Sequence, residues 1–167
     1  MLKPQDIVVV LHLVDAAAED RAFPKLASAL GISASETHAA VKRAATSGLI
    51  DPADRSVRKA ALREFLVHGL RYVFPPEWRG VSRGVPTSYA APPLAEHFAQ
   101  GDLPPVWPDP EGAKRGEGLA PLYKSAPRAA LRNPQLYEWL ALADALRSGR
   151  ARERKLAAQE VERRLGA

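Results

Sequence analysis

The sequence predicts a mainly α-helical protein, and three observations carry that expectation. Ser33 and Glu36 stand at capping-box spacing between Gly31 and Gly48, which brackets a helix over about 34–47. Asn133 followed by Pro134 is a second start signal, with Leu136, Leu140, Ala143 and Leu146 behind it at helical spacing. By contrast, 11 of the 15 prolines and six of the 11 glycines fall within 75–127, so long regular elements are not expected there. The chain thus divides into a helical region 1–74, a Pro/Gly-rich stretch 75–127 and a helical region 128–167.

Residues 4–18 place Pro4 in a first turn and carry the apolar run IVVVLHLV. Its β-branched centre would also suit a strand, but the following AAAED favours a helix buried on most sides. FPKLASAL, 23–30, is a short helix that Gly31 stops, because glycine tolerates the left-handed cap. After the 34–47 helix, LID and the turn DPADRS lead into VRKAALREFLVHG. There Ala61, Leu62, Phe65, Leu66 and Leu70 recur at helical spacing and Gly69 is the expected cap. RYVFP reads as a short extended piece ended by Pro75 and Pro76. Within 75–127 the aromatics Trp78, Tyr89, Phe98, Trp107 and Tyr123 are spaced to anchor the chain, which favours an ordered, extended wrap over a flexible linker. The last helix, about 151–165, has a thin stripe of Ala151, Ala158, Val161 and Leu165 among many charges. With its predecessor it reads as an αα-hairpin, or as an arm that pairs with a second copy in a homodimer.

Composition narrows the class of function. An apolar share of 46% and a charged share of 26% belong to a globular protein, and the apolar run of 7–14 is far short of the roughly 20 residues a membrane span needs. A cytoplasmic protein without membrane contact is expected. The absence of cysteine removes disulfides, thiolate metal sites and cysteine nucleophiles. The net charge of +5 is unevenly spread: −2 over 1–41, +5 over 42–83, −4 over 84–113, +2 over 114–146 and +4 over 147–167. Two basic zones around an acidic, proline-rich middle suit a polyanionic partner.

The stretch LASALGISASETHAAVKRAATSGLI, 26–50, then resembles, without a gap, the helix-turn-helix of winged-helix bacterial transcription regulators, the class that includes MarR-like and Lrp-like proteins. Leu26, Ala27, Leu30, Gly31, Ile32, Ser33, Val41 and the closing SGLI carry the match, which covers about residues 5–60. The resemblance implies a DNA-binding transcription regulator whose second helix enters the major groove of double-stranded DNA. Its outward positions would be Ala34, Ser35, Glu36, His38, Ala39, Lys42 and Arg43. Ala39 stands where many relatives place an arginine, which leaves Ser35 and His38 as base-contact candidates. Lys42 and Arg43 suit phosphates. Glu36 is expected to cap back onto Ser33, and Thr37 fills a usually apolar position. The wing is reduced to the stub DPADRSV, with Arg55, Arg58 and Lys59 placed to reach backbone; EWRGVSRGV, with Arg79 and Arg83, could supply a later wing.

The competing reading is a protein-binding adaptor, such as an antitoxin-like partner, that uses the helix-turn-helix as scaffold and the aromatic-dotted acidic middle as contact surface. An enzyme is not expected, nor a cofactor. His12, His38, His68 and His97 are dispersed, and EGAKRGEG lacks the spacing of a phosphate-binding loop. His12 and Asp15 share a helix face in the manner of polar groups within a core.

Overall fold

The structure, a computed structural model, describes residues 1–166 and is mainly α-helical. Helix α1 (Pro4–Val14) buries Ile7, Val8, Val9, Val10, Leu11 and Leu13, each no more than 1% exposed. It stops four residues short of the predicted end, and a 3₁₀ turn (Ala18–Arg21) follows. Asp15, just past the helix, accepts a hydrogen bond from Trp139 Nε1 at 2.9 Å.

Helices α2 (Phe23–Leu30) and α3 (Ala34–Thr46) are joined by a turn in which Gly31 takes φ +64°, a left-handed conformation that a Cβ would disfavour. Ser33 Oγ caps α3 by accepting from the Glu36 amide at 3.2 Å. Thr37 is fully buried and donates its hydroxyl to the Ser33 carbonyl at 2.8 Å, so this polar residue sits on the inner face without an unmet donor. After α3 the chain makes a short turn in which Ile50 and Val57 form one isolated antiparallel bridge.

Gly69 does not end the next helix. Helix α4 (Lys59–Glu64) passes through a π-helical turn (Phe65–Gly69) into α5 (Leu70–Val73), so most of RYVFP is helical rather than extended. Leu70 explains the continuation: it is completely buried, on an element packed against the long C-terminal helix. A Cβ at Gly69 would come within 3.1 Å of the Phe65 ring, so here glycine makes room rather than a stop.

The proline-rich stretch is more regular than predicted. Strands β1 (Trp78–Pro86), β2 (Pro105–Pro108) and β3 (Lys114–Leu119) close on one another, β1 antiparallel to both and β2 parallel to β3. The inside of this three-stranded ring is narrow: the buried Val106 side chain lies 2.9 Å from where a Cβ on Gly84 or Gly116 would stand, which leaves those positions to glycine. A Cβ on Gly84 would overlap the Trp107 carbonyl, and one on Gly116 the Pro104 carbonyl.

Helices α6 (Ala126–Leu131), α7 (Pro134–Ser148) and α8 (Ala151–Leu165) complete the chain. Helix α7 is the spine of the molecule, with Trp139 to Arg147 buried throughout, and α1, α5, α6, α8 and the turn after β1 all pack on it. One continuous core therefore runs from Ile7 to Leu165 and includes Trp107 of the middle stretch. Helices α7 and α8 pack on each other as the expected αα-hairpin: Val161 and Leu165 of the stripe are buried with Ala157 against α7 and α4, Ala158 is half-buried and Ala151 is exposed.

The barrel is tied to α7 by a buried polar cluster. Asp144 accepts from Thr87 Oγ1 at 2.6 Å and Trp107 Nε1 at 2.8 Å, and forms an ion pair with Arg147 at 2.9 Å. Arg147 in turn donates to the carbonyls of Phe74 and Ala120 at 3.1 and 3.2 Å. Each buried polar atom of the pair thus has a partner, the condition under which such a cluster is tolerated.

On α8, Arg163 and then Arg164 hold the Glu160 carboxyl down to a pKa of about 2 from its ordinary 4.5. A depressed carboxyl stabilises the fold fully above its unfolded pKa and loses that contribution as pH falls through the folded value. Stability should therefore decline between about pH 4.5 and 2 by an amount that Glu160→Gln removes. Solvent screening keeps that amount to about 1 kcal/mol, and urea midpoints at pH 7 and pH 3 for both proteins measure it.

Candidate nucleic-acid interface

Helix α3 is clamped from its inner side. Arg43, the expected phosphate contact, turns away from solvent: its Nε and Nη2 donate to both oxygens of Asp6 at 2.9 and 2.8 Å, and Nη2 reaches Glu36 at 2.7 Å. Asp6 is fully buried, so this bidentate pair is a structural link between α1 and α3. Its carboxylate foremost raises the Arg43 pKa beyond its already high ordinary value. Glu36 departs from its expected role as well. Its carboxylate accepts from Gln5 Nε2 at 2.8 Å and from Arg43, rather than reaching back to Ser33, and these bonds hold its pKa below the usual carboxylate range. The Ser33 cap is therefore one-sided.

With Arg43 and Glu36 turned inward, the outer face of α3 is left to Ser35, His38 and Lys42, which are exposed and about one turn apart, with Ala39 half-buried beside them. Arg58 and Lys59 are exposed at the start of α4. Arg55 is held in place: its backbone has φ +60°, its guanidinium lies 3.7 Å above the Phe23 ring and it donates to the Arg21 carbonyl at 2.9 Å. The other neighbour of Phe23 is His38, with ring centroids 4.8 Å apart. Phe23 thus links the helix to the stub across an open groove of about 470 Å³, lined by Phe23, His38, Lys42, Thr46, Pro52 and Arg55. A groove with aromatic, imidazole and cationic walls can accept a phosphodiester edge or a flat ring, and its cations are placed without neighbouring carboxylates in its lining.

Sequence reasoning found the residues of α3 and of the stub but missed Phe23 and Asp6. Both act across elements, and no spacing within one helix marks such a partner. Comparison with protein-family models, curated proteins and solved structures gives no significant match. The geometry therefore stands alone as the guide to function.

Two other regions bear on the alternatives. A cleft of about 650 Å³ lies where α1 and α2 meet the start of α7 and includes His12, Asp15, Asp20, Lys25, Ser28 and Asn133. His12 Nδ1 is buried there without a hydrogen-bond partner, and burial lowers the imidazole pKa. Among the described residues no three His, Asp or Glu side chains are grouped to hold a metal ion. In the middle stretch Trp107 is 1% exposed and Tyr89, Phe98 and Tyr123 are half-buried, so the aromatics expected to face a protein partner are largely spent on the fold. Among the described residues no helix is long and apolar enough to cross a membrane.

Proposed function

We propose that the chain binds double-stranded DNA through the outer face of α3 and acts as a transcription regulator of the winged helix-turn-helix kind, as a homodimer. The observation that carries this reading is the division of labour around α3. Asp6, Arg43 and Glu36 fix the helix from within, while Ser35, His38 and Lys42 are left outward on one face, with Arg58 and Lys59 exposed at the stub. A rigidly mounted helix with a short polar and cationic outer face suits a major groove, where bases are read by few side chains and the backbone supplies the grip. Base readout would rest on Ser35 and His38, and the grip on Lys42, Arg58 and Lys59. Because Val161 and Leu165 of the α8 stripe are buried within the chain, the two copies would meet on another surface.

Three cations per copy predict six phosphate contacts per dimer and a slope of log affinity against log salt of about −5. Lys42→Ala should weaken binding to every duplex sequence alike and reduce that slope by roughly 2 for a dimer. Fluorescence anisotropy with labelled genomic duplexes across a salt series measures both. An unchanged slope would remove α3 from the interface. Arg43 is unsuitable for this test, because its removal strands the buried Asp6 carboxylate.

A further inference from the structure

We infer that the outer face of the β1/β3 pair is a second binding site, for single-stranded nucleic acid. It is carried by different elements from the duplex-binding face, since α3 packs on α1 and α2 whereas the turn after β1 and strand β2 join the barrel to α7. The strand register places Arg83 directly opposite Arg115 and Val81 opposite Glu117, with Trp78 exposed at the end of the pair, beyond a register shift. Residues directly opposite in an antiparallel pair have Cβ atoms roughly 5 Å apart, and like charges there cost stability. Neither arginine has a carboxylate within ion-pair distance among the described residues; Arg83 Nη1 donates only to the Gly112 carbonyl, at 3.2 Å.

The neighbouring charges reinforce the arrangement. Lys114 is exposed at the edge of the same pair, and Arg79 is exposed and shares a loose pair with Glu77 at 3.1 Å. Glu117 is the acid on the face itself. The excess is cationic, and a polyanion would relieve the opposed arginines.

The apolar groups decide which polyanion. Trp78 is 44% exposed and Val81 48%, whereas Trp107 and Trp139 are buried. A duplex hides its base faces and offers such groups nothing, but an unpaired strand brings phosphates and stackable bases together. Outward positions on a strand recur every ~6.8 Å, a step comparable with one stretched nucleotide. The inner positions, Gly84, Gly116 and Gly118, let the ring close behind this face.

The exposed tryptophan supplies the test. Adding a short oligothymidylate to the full chain should partly quench tryptophan emission, because Trp78 is the exposed member of the three tryptophans. Trp78→Phe should remove that quench and weaken binding about tenfold. Arg83→Ala with Arg115→Ala, exposed changes expected to leave the circular dichroism spectrum intact, should flatten the salt slope by roughly 1.4. Lys42→Ala should leave single-strand binding unchanged, so failure here and failure of the duplex reading are separable. The inference is overturned by unaltered emission, by a duplex of equal length quenching as strongly, by full affinity in the double arginine variant, or by loss of single-strand binding on changing Lys42.

Discussion

Asp144→Ala should lower the free energy of unfolding by about 3–5 kcal/mol, the range for removing one member of a buried ion pair. The carboxylate is 1% exposed and serves three side chains, so its loss leaves Thr87 and Trp107 without their acceptor and Arg147 with an uncompensated buried charge. Urea unfolding followed by far-ultraviolet circular dichroism gives the total. The near-ultraviolet signal of Trp107 should change in the folded state as well. An Asp144→Leu, Arg147→Met double variant should recover part of the loss, since an apolar pair leaves no stranded charge. A cost below about 1 kcal/mol for the single change would mean that water reaches the pair.

Gly116→Val should be comparably damaging for a steric reason. The first carbon of any side chain at this position overlaps the Pro104 carbonyl, a backbone atom that cannot swing aside without opening the ring. Because Trp107 enters the core from a strand of that ring and Leu119 is fully buried on another, opening it exposes buried apolar surface. A loss of at least about 3 kcal/mol is expected, seen as a fall in Tm of roughly 6–12 °C. Gly101→Ala, where no atom lies within 4 Å of the added carbon, should melt within a degree or two of the parent and serves as the control.

These two positions mark where the sequence was hardest to read. The helices of the first and last regions were legible because their signals are local: Ser33 at a cap, Gly31 at a left-handed turn, Asn133 before Pro134. The barrel was missed because its signal was inverted. In RGVSRGV and RGEGL small residues alternate with arginine, valine, glutamate and leucine, which is the period of a strand whose inner face must be nearly empty. Glycine there reads as a breaker, although the ring needs it. On the candidate interface, Ser35, His38 and Lys42 were readable from helical spacing. Arg43 was not, since only Asp6, 37 residues earlier, turns it inward. Asp144 and Arg147 were equally opaque, because three spaces apart on a helix describes an exposed pair as well as a buried one.

The central position of α7 bears on how the chain comes to be folded in the first place. The helix that closes the core begins about 130 residues after the start of α1, and contacts such as Trp139 with Asp15 span 124 positions. At the usual 5–20 residues per second, α1 waits roughly 7–25 s during synthesis for the surface that will cover it. During that interval its run of isoleucine, valines and leucines has no permanent neighbour on one side. Folding is then a late event, governed by the arrival of a distant helix, and the nascent chain before it is a natural client for a chaperone that shields apolar segments.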